Sequence, residues 1–127
     1  LDQSSNPYFI SALQNNLALH SMGGASYPIP AAGSRPALNL GNSFPSLAYF
    51  SEFASSLNLG LLLSGNWYSF PLESGTIHDI AVSRGPGLEI AFIKQGDELR
   101  YLAPNIFPSI LIDGAPFIYD VEIAHSF

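Results

Sequence analysis

The chain has 127 residues, a length that fits one domain, and it contains no cysteine, so disulfide staples, thiolate catalysis and cysteine-built zinc sites are excluded. Only 11% of its residues are charged, with a net charge of −6, against about 25% in an ordinary soluble chain. The four basic residues, Arg35, Arg84, Lys94 and Arg100, form no stripe for nucleic-acid phosphates and no polybasic segment for an anionic membrane.

The charges are unevenly placed: from Leu1 to Phe70 only Asp2, Arg35 and Glu52 are ionic. Monomers solubilise themselves with Lys and Glu at little cost, so a half-chain without them is expected to be covered by a neighbouring copy or a partner. The longest apolar run, Leu59 to Leu63, falls far short of the ~20 residues a bilayer demands, so no membrane insertion is expected. No basic n-region precedes an apolar stretch, and no targeting signal is expected.

In chain order, Ser4-Ser5-Asn6-Pro7 reads as a helix entrance. Phe9 or Ile10, Leu13, Leu17 and His20 then recur at helical spacing, with Gln14, Asn15 and Asn16 opposite and Gly23-Gly24 as the stop, predicting a helix over 7–20. From Ala25 to Pro45 the chain is punctuated by Pro28, Pro30, Gly33, Pro36, Gly41 and Pro45 and keeps no period. Such a segment is expected to be either an interaction arm or an extended strap. Tyr27, Pro28, Pro30, Arg35 and Pro36 are its candidate interface residues. Ser43-Phe44-Pro45 then opens a second helix of about three turns, whose stripe is Leu47, Phe50, Phe53, Ala54 and Leu57.

Beyond this point the period becomes two. Residues 59–63, 66–72, 77–83, 88–94, 99–103, 109–112 and 116–127 read as strands, separated by Ser64-Gly65, Glu73-Ser74-Gly75, Arg84-Gly85-Pro86-Gly87, Gly96-Asp97 and Asp113-Gly114. Gly96-Asp97 suits a two-residue type II′ turn, which would set Phe92 opposite Tyr101, Lys94 opposite Leu99 and Ile90 opposite Ala103. The expected fold is α+β and predominantly antiparallel β, sandwich or barrel-like, with one or two short N-terminal helices, in a single domain over 1–127. Residues 1–45 supply a helix and the Pro/Gly-rich arm; residues 46–127 supply a helix followed by the β-rich core.

Chemical motifs are sparse. Gly85-Pro86-Gly87 lacks the Lys-Ser/Thr ending of a phosphate loop, and neither Gly-x-Ser-x-Gly nor His-Glu-x-x-His occurs. His78 is expected to share a strand face with Ile80 and Val82, and His125 one with Ile123 and Phe127, which suits boundary packing better than catalysis. Asp97-Glu98, and Asp120 with Glu122, read as solvated acids rather than a glycosidase pair. No catalytic residue, metal site or cofactor is assigned. The best ligand-binding candidates are Asn66, Trp67 and Tyr68, whose rings and amide suit a sugar; core packing explains the same Trp with fewer assumptions.

Three function classes follow. The leading one is a non-enzymatic structural subunit, such as a coat, fibre or virion decoration protein, forming a homo-oligomer or larger protein assembly through its charge-poor N-terminal half. An extracellular or virion location goes with it. The alternative is a small carbohydrate- or ligand-binding module using Trp67 and Tyr68, and the third is a small hydrolase using carboxylates or His78.

Overall fold

The computed structural model describes residues 8–14, 16–39, 44–83, 88–95, 98–103 and 106–114. Ten strands follow one another: β1 (Tyr8–Leu13), β2 (Asn16–Ser21), β3 (Ser26–Asn39), β4 (Ser46–Ser51), β5 (Ser56–Leu63), β6 (Asn66–Ser74), β7 (Ile77–Val82), β8 (Ile90–Lys94), β9 (Glu98–Ala103) and β10 (Ile106–Gly114). They form two antiparallel meanders, β1-β2-β3-β4-β5-β6 and β10-β9-β8-β7. The predominantly antiparallel β, sandwich-like expectation is met. The strand expected over 116–127 lies outside the described residues.

Neither expected helix is present among the described residues. Where the first was predicted, β1 and β2 form a hairpin closed by the Leu13↔Asn16 pair. Of the amides taken for a polar helix face, Gln14 sits in the turn at φ 52° and Asn16 opens β2. Leu17 and Leu19 are both buried on β2, a period of two that the coincidental spacing of Leu13, Leu17 and His20 conceals. The second helix fails for another reason. All six residues of β4 are buried, so apolar side chains on both faces erase the alternation and imitate a helical stripe. Phe53, placed on that stripe, sits in the β4–β5 turn at 95% exposure.

Residues 26–39 of the Pro-rich stretch form one extended sheet strand, β3. The first half of β3 pairs with β2 up to Ala32, and the second half pairs with β4 from Gly33. Two register breaks accommodate Pro30 and Pro36. Pro30 falls between the Pro28 and Ala32 pairs, and Pro36 between the Ser34 and Ala37 pairs, where the ladder demands no N–H. These bulges explain why no period survives in that segment. At the crossover, a Cβ on Gly33 would lie 2.7 Å from Tyr49 Cδ2 and 2.9 Å from Leu17 Cδ1, so only glycine lets those two side chains close over the strand.

Two apolar clusters lie on opposite faces of β4. On one side, Ala48, Phe50 and Leu57 pack against Ile77, Ile80, Ile90, Phe92 and Leu102 of the second sheet, the interior of a two-sheet sandwich. On the other, Leu47 and Tyr49 meet Leu17 and Ile29, with Ile10, Leu38 and Trp67 at the margin. The six-stranded sheet therefore curls until its first strands cover the outer face of β4. Asn39, fully buried, donates from Nδ2 to the Ser83 carbonyl and ties the end of β3 to the end of β7.

The hairpin from β8 to β9 forms, one residue out of the expected register. Phe92 lies opposite Arg100, Lys94 opposite Glu98 and Ile90 opposite Leu102. Gln95, at φ 57°, has left the strand, so three residues rather than two separate the closing pair. Tyr101 faces Ala91 instead of Phe92, and the expected aromatic pair is not made. Gly96-Asp97 itself lies outside the described residues.

Candidate functional site

Ser64-Gly65 is the turn the sequence predicts. Both residues take positive φ, 52° and 81°, as a two-residue hairpin loop requires, and Leu63↔Asn66 closes it. This fixes where Asn66 and Trp67 stand. The Trp67 ring lies over Gly60, where a Cβ would approach Cε3 to 3.2 Å. Its Nε1 donates to the Tyr27 carbonyl at 2.9 Å, binding β6 to the start of β3 across the curl. A groove of about 270 Å³ opens there, lined by Ser26, Tyr27, Pro28, Pro30, Gly65, Asn66 and Trp67.

Residues assigned by the sequence to two different roles thus meet in one place. Tyr27, Pro28 and Pro30, expected at an interface, join Asn66 and Trp67, expected at a ligand site. Tyr68 does not join them. As the neighbour of Trp67 on a strand it points the opposite way, across from Leu61, where it is 55% exposed beside the likewise exposed Phe70.

Arg35 lies elsewhere. The bulge in β3 holds it at φ 56° in a cleft of about 470 Å³ with Ser34, Phe50, Glu52, Thr76, Ile77 and His78. Pro36 is half-buried in the same bulge and does not line the cleft. A register break between Ile77 and Asp79 turns His78 outward, so it does not share the buried face of Ile80 as expected. The cleft holds a serine, a histidine and a carboxylate, the components of a nucleophilic relay. They are not connected as one: Ser34 Oγ donates directly to Glu52 Oε1 at 2.7 Å, so the hydroxyl proton points at the carboxylate rather than at an imidazole. Among the described residues Glu52 is the one carboxylate lining the cleft, so these residues assemble no acid pair for glycoside hydrolysis there.

Of the other candidates, His20 has Nε2 2.8 Å from Ser11 Oγ on the neighbouring strand. Glu98 is bound at 2.6 Å by Arg100 Nη1. Asp97, Asp120, Glu122 and His125 lie outside the described residues. Among the described residues no group of three or more His, Asp or Glu side chains could hold a metal ion.

One cluster is not visible in the sequence. Glu73, with a side chain 10% exposed, accepts from Lys94 Nζ at 3.0 Å and from Ser109 Oγ at 2.7 Å, and it lies 3.4 Å from Arg100 Nε. It closes the space between the edge of one sheet, β6, and the strands β8, β9 and β10 of the other. Its signal was masked by a bulge: Leu57 faces Glu73 while Asn58 faces Pro71, so Leu72 is the extra residue and the alternation breaks just before the acid.

The remaining conspicuous surface is apolar. Phe9, Leu13 and Met22 are 53%, 72% and 65% exposed around the first hairpin, and Phe107, Ile110, Leu111 and Ile112 are exposed along β10. These features define a two-sheet antiparallel β protein with an aromatic groove, a polar cleft and an ion-pair latch between its sheets. No family model, no curated protein and no solved structure matches the chain.

Proposed function

We propose that this chain is a non-enzymatic structural subunit, of the coat, fibre or virion decoration type, which meets neighbouring copies through its charge-poor N-terminal half. The observation that carries this reading is the exposure of Phe9, Leu13 and Met22 in a stretch, Gln3 to Phe70, whose only ionic residues are Arg35 and Glu52. Large apolar side chains without charged neighbours mark surfaces that associate. The connected geometry of the polar cleft, with Ser34 held by Glu52, favours a structural role over hydrolysis. Light scattering across a concentration series tests the proposal: the expected mass is a multiple of 13.6 kDa, and a constant 13.6 kDa overturns it.

A second reading, a carbohydrate-binding module, is favoured by the meeting of Tyr27, Pro28 and Pro30 with Asn66 and Trp67 in the groove. Tyr68 has no part in this version. Because Trp67 also latches the fold, the informative variants are Tyr27→Ala and Asn66→Ala. On a glycan array both are expected to lose binding at an unchanged melting temperature; no glycan bound by the wild type refutes this reading.

A further inference from the structure

Among the described residues the two sheets have four edges, formed by β1, β6, β7 and β10. An open edge offers unpaired N–H and C=O groups to any passing strand, and native proteins blunt it with proline, charge or a bulge. Three of the four are blunted. The β6 edge carries Pro71, the inward carboxylate of Glu73 and a register break. The β7 edge carries Asp79 at a break, and β10 carries Pro108 and two breaks.

The β1 edge has none of these devices. Tyr-Phe-Ile-Ser-Ala-Leu contains no proline, glycine or charge, and its six residues pair with β2 without interruption. No strand lies against its outer side among the described residues. A two-residue loop is closed by a hydrogen-bonded pair, here Leu13↔Asn16, and in an antiparallel ladder such pairs alternate with open ones. Leu13, Ser11 and Phe9 therefore bond to β2, while Ala12 and Ile10 turn N–H and C=O outward.

We infer that β1 is a self-pairing edge: it takes β1 of a second copy, antiparallel, about a two-fold axis through Ile10. Charge selects this occupant. A chain of net charge −6 repels its own copy at most approaches, yet no Asp or Glu occurs between Gln3 and Ser51. Two copies meeting at β1 bring no carboxylates together there, and the ten-residue meeting line becomes a continuous twelve-stranded sheet. The two-fold is isologous, so each copy supplies both donors and acceptors. Ile10 then faces its own symmetry mate, and Phe9, now exposed, lies beside the mate of Ser11.

This inference rests on the assembly reading and names its surface. The experiment is light scattering and analytical ultracentrifugation on the wild type, Ala12→Pro, Ser11→Lys and the control Phe53→Ser. Ala12→Pro removes an outward N–H without touching the β1–β2 ladder, and Ser11→Lys guards the edge with charge should the proline disturb folding. The expected wild type is a dimer, twice 13.6 kDa. Both edge variants raise its dissociation constant by at least about tenfold, with unchanged circular dichroism, while Phe53→Ser matches the wild type. A wild-type oligomer whose mass neither edge variant alters overturns the β1 assignment and leaves the assembly reading standing. A monomeric wild type overturns both.

Discussion

Gly33→Ala isolates a steric requirement at the point where β3 leaves β2 for β4. The added methyl carbon would lie 2.7 Å from Tyr49 Cδ2, 2.9 Å from Leu17 Cδ1 and 3.3 Å from the Phe50 carbonyl oxygen. Tyr49 and Leu17 are each 1% exposed, so neither side chain can swing into solvent to make room, and the third neighbour is backbone. Overpacking a closed core costs about 1–3 kcal/mol, and this site belongs in the upper half of that range. For 127 residues the unfolding entropy is about 0.27 kcal/mol/K, so a loss of about 2–3 kcal/mol lowers the melting temperature by about 7–11 °C. Gly23→Ala is the control. A Cβ there meets only Ser21 Oγ, at 3.8 Å, so the substitution is expected to leave the melt unchanged or raise it slightly. Calorimetry on both variants decides. Equal melting temperatures for Gly33→Ala, Gly23→Ala and wild type refute the claim that the crossover is closed by those two side chains.

Phe92→Ala, at a side chain fully buried between the sheets, is expected to lose about 3–5 kcal/mol in urea unfolding. Tyr101→Ala should lose markedly less, because Tyr101 is only half-buried; the reverse order would contradict the observed register. Glu73→Gln leaves Lys94 and Arg100 facing each other without their shared carboxylate. With partners about one-fifth exposed the cost is discounted to about 1–3 kcal/mol, and a melt identical to wild type shows the latch to be inert. The hydrogen bond from Tyr101 to Glu89, reinforced by burial and the Glu89 charge, raises the phenol above its ordinary 10.0. The folded state thus holds this proton more tightly than the unfolded one: the contribution to stability is complete below pH 10 and disappears as pH rises through the folded value. In an ultraviolet titration Tyr101 should ionise late, and Glu89→Gln should return it towards the ordinary range; an unchanged titration curve refutes the assignment.

The second half of the chain was readable because its strands are short and mostly separated by glycine-bearing turns. Residues expected over 59–63, 66–72 and 99–103 fall in β5, β6 and β9, and β7 covers 77–82 of the expected 77–83. The first half misled for three physical reasons. The reversal between β1 and β2, with Gln14 in it and Asn16 just beyond, imitates the polar face of a helix. Apolar residues on both faces of β4 remove the period of two, and bulges in β3 remove it again around Pro30 and Pro36. One residue more in the loop after Lys94 was enough to displace a whole hairpin register. The groove was half legible: the side chains of Asn66 and Trp67 stood out locally. That Tyr27, forty positions earlier, completes it depends on the curl of a sheet and leaves no local trace.

β4 has a consequence for how the molecule comes apart. Its backbone carries Ala48 and Phe50 into one apolar cluster and Leu47 and Tyr49 into the other, so neither layer can open without exposing the reverse side of a strand that the other layer still needs. Local openings should therefore spare this strand, and its amide protons should exchange with deuterated solvent at the rate of global unfolding. The two interiors melt together, joined back to back on six residues.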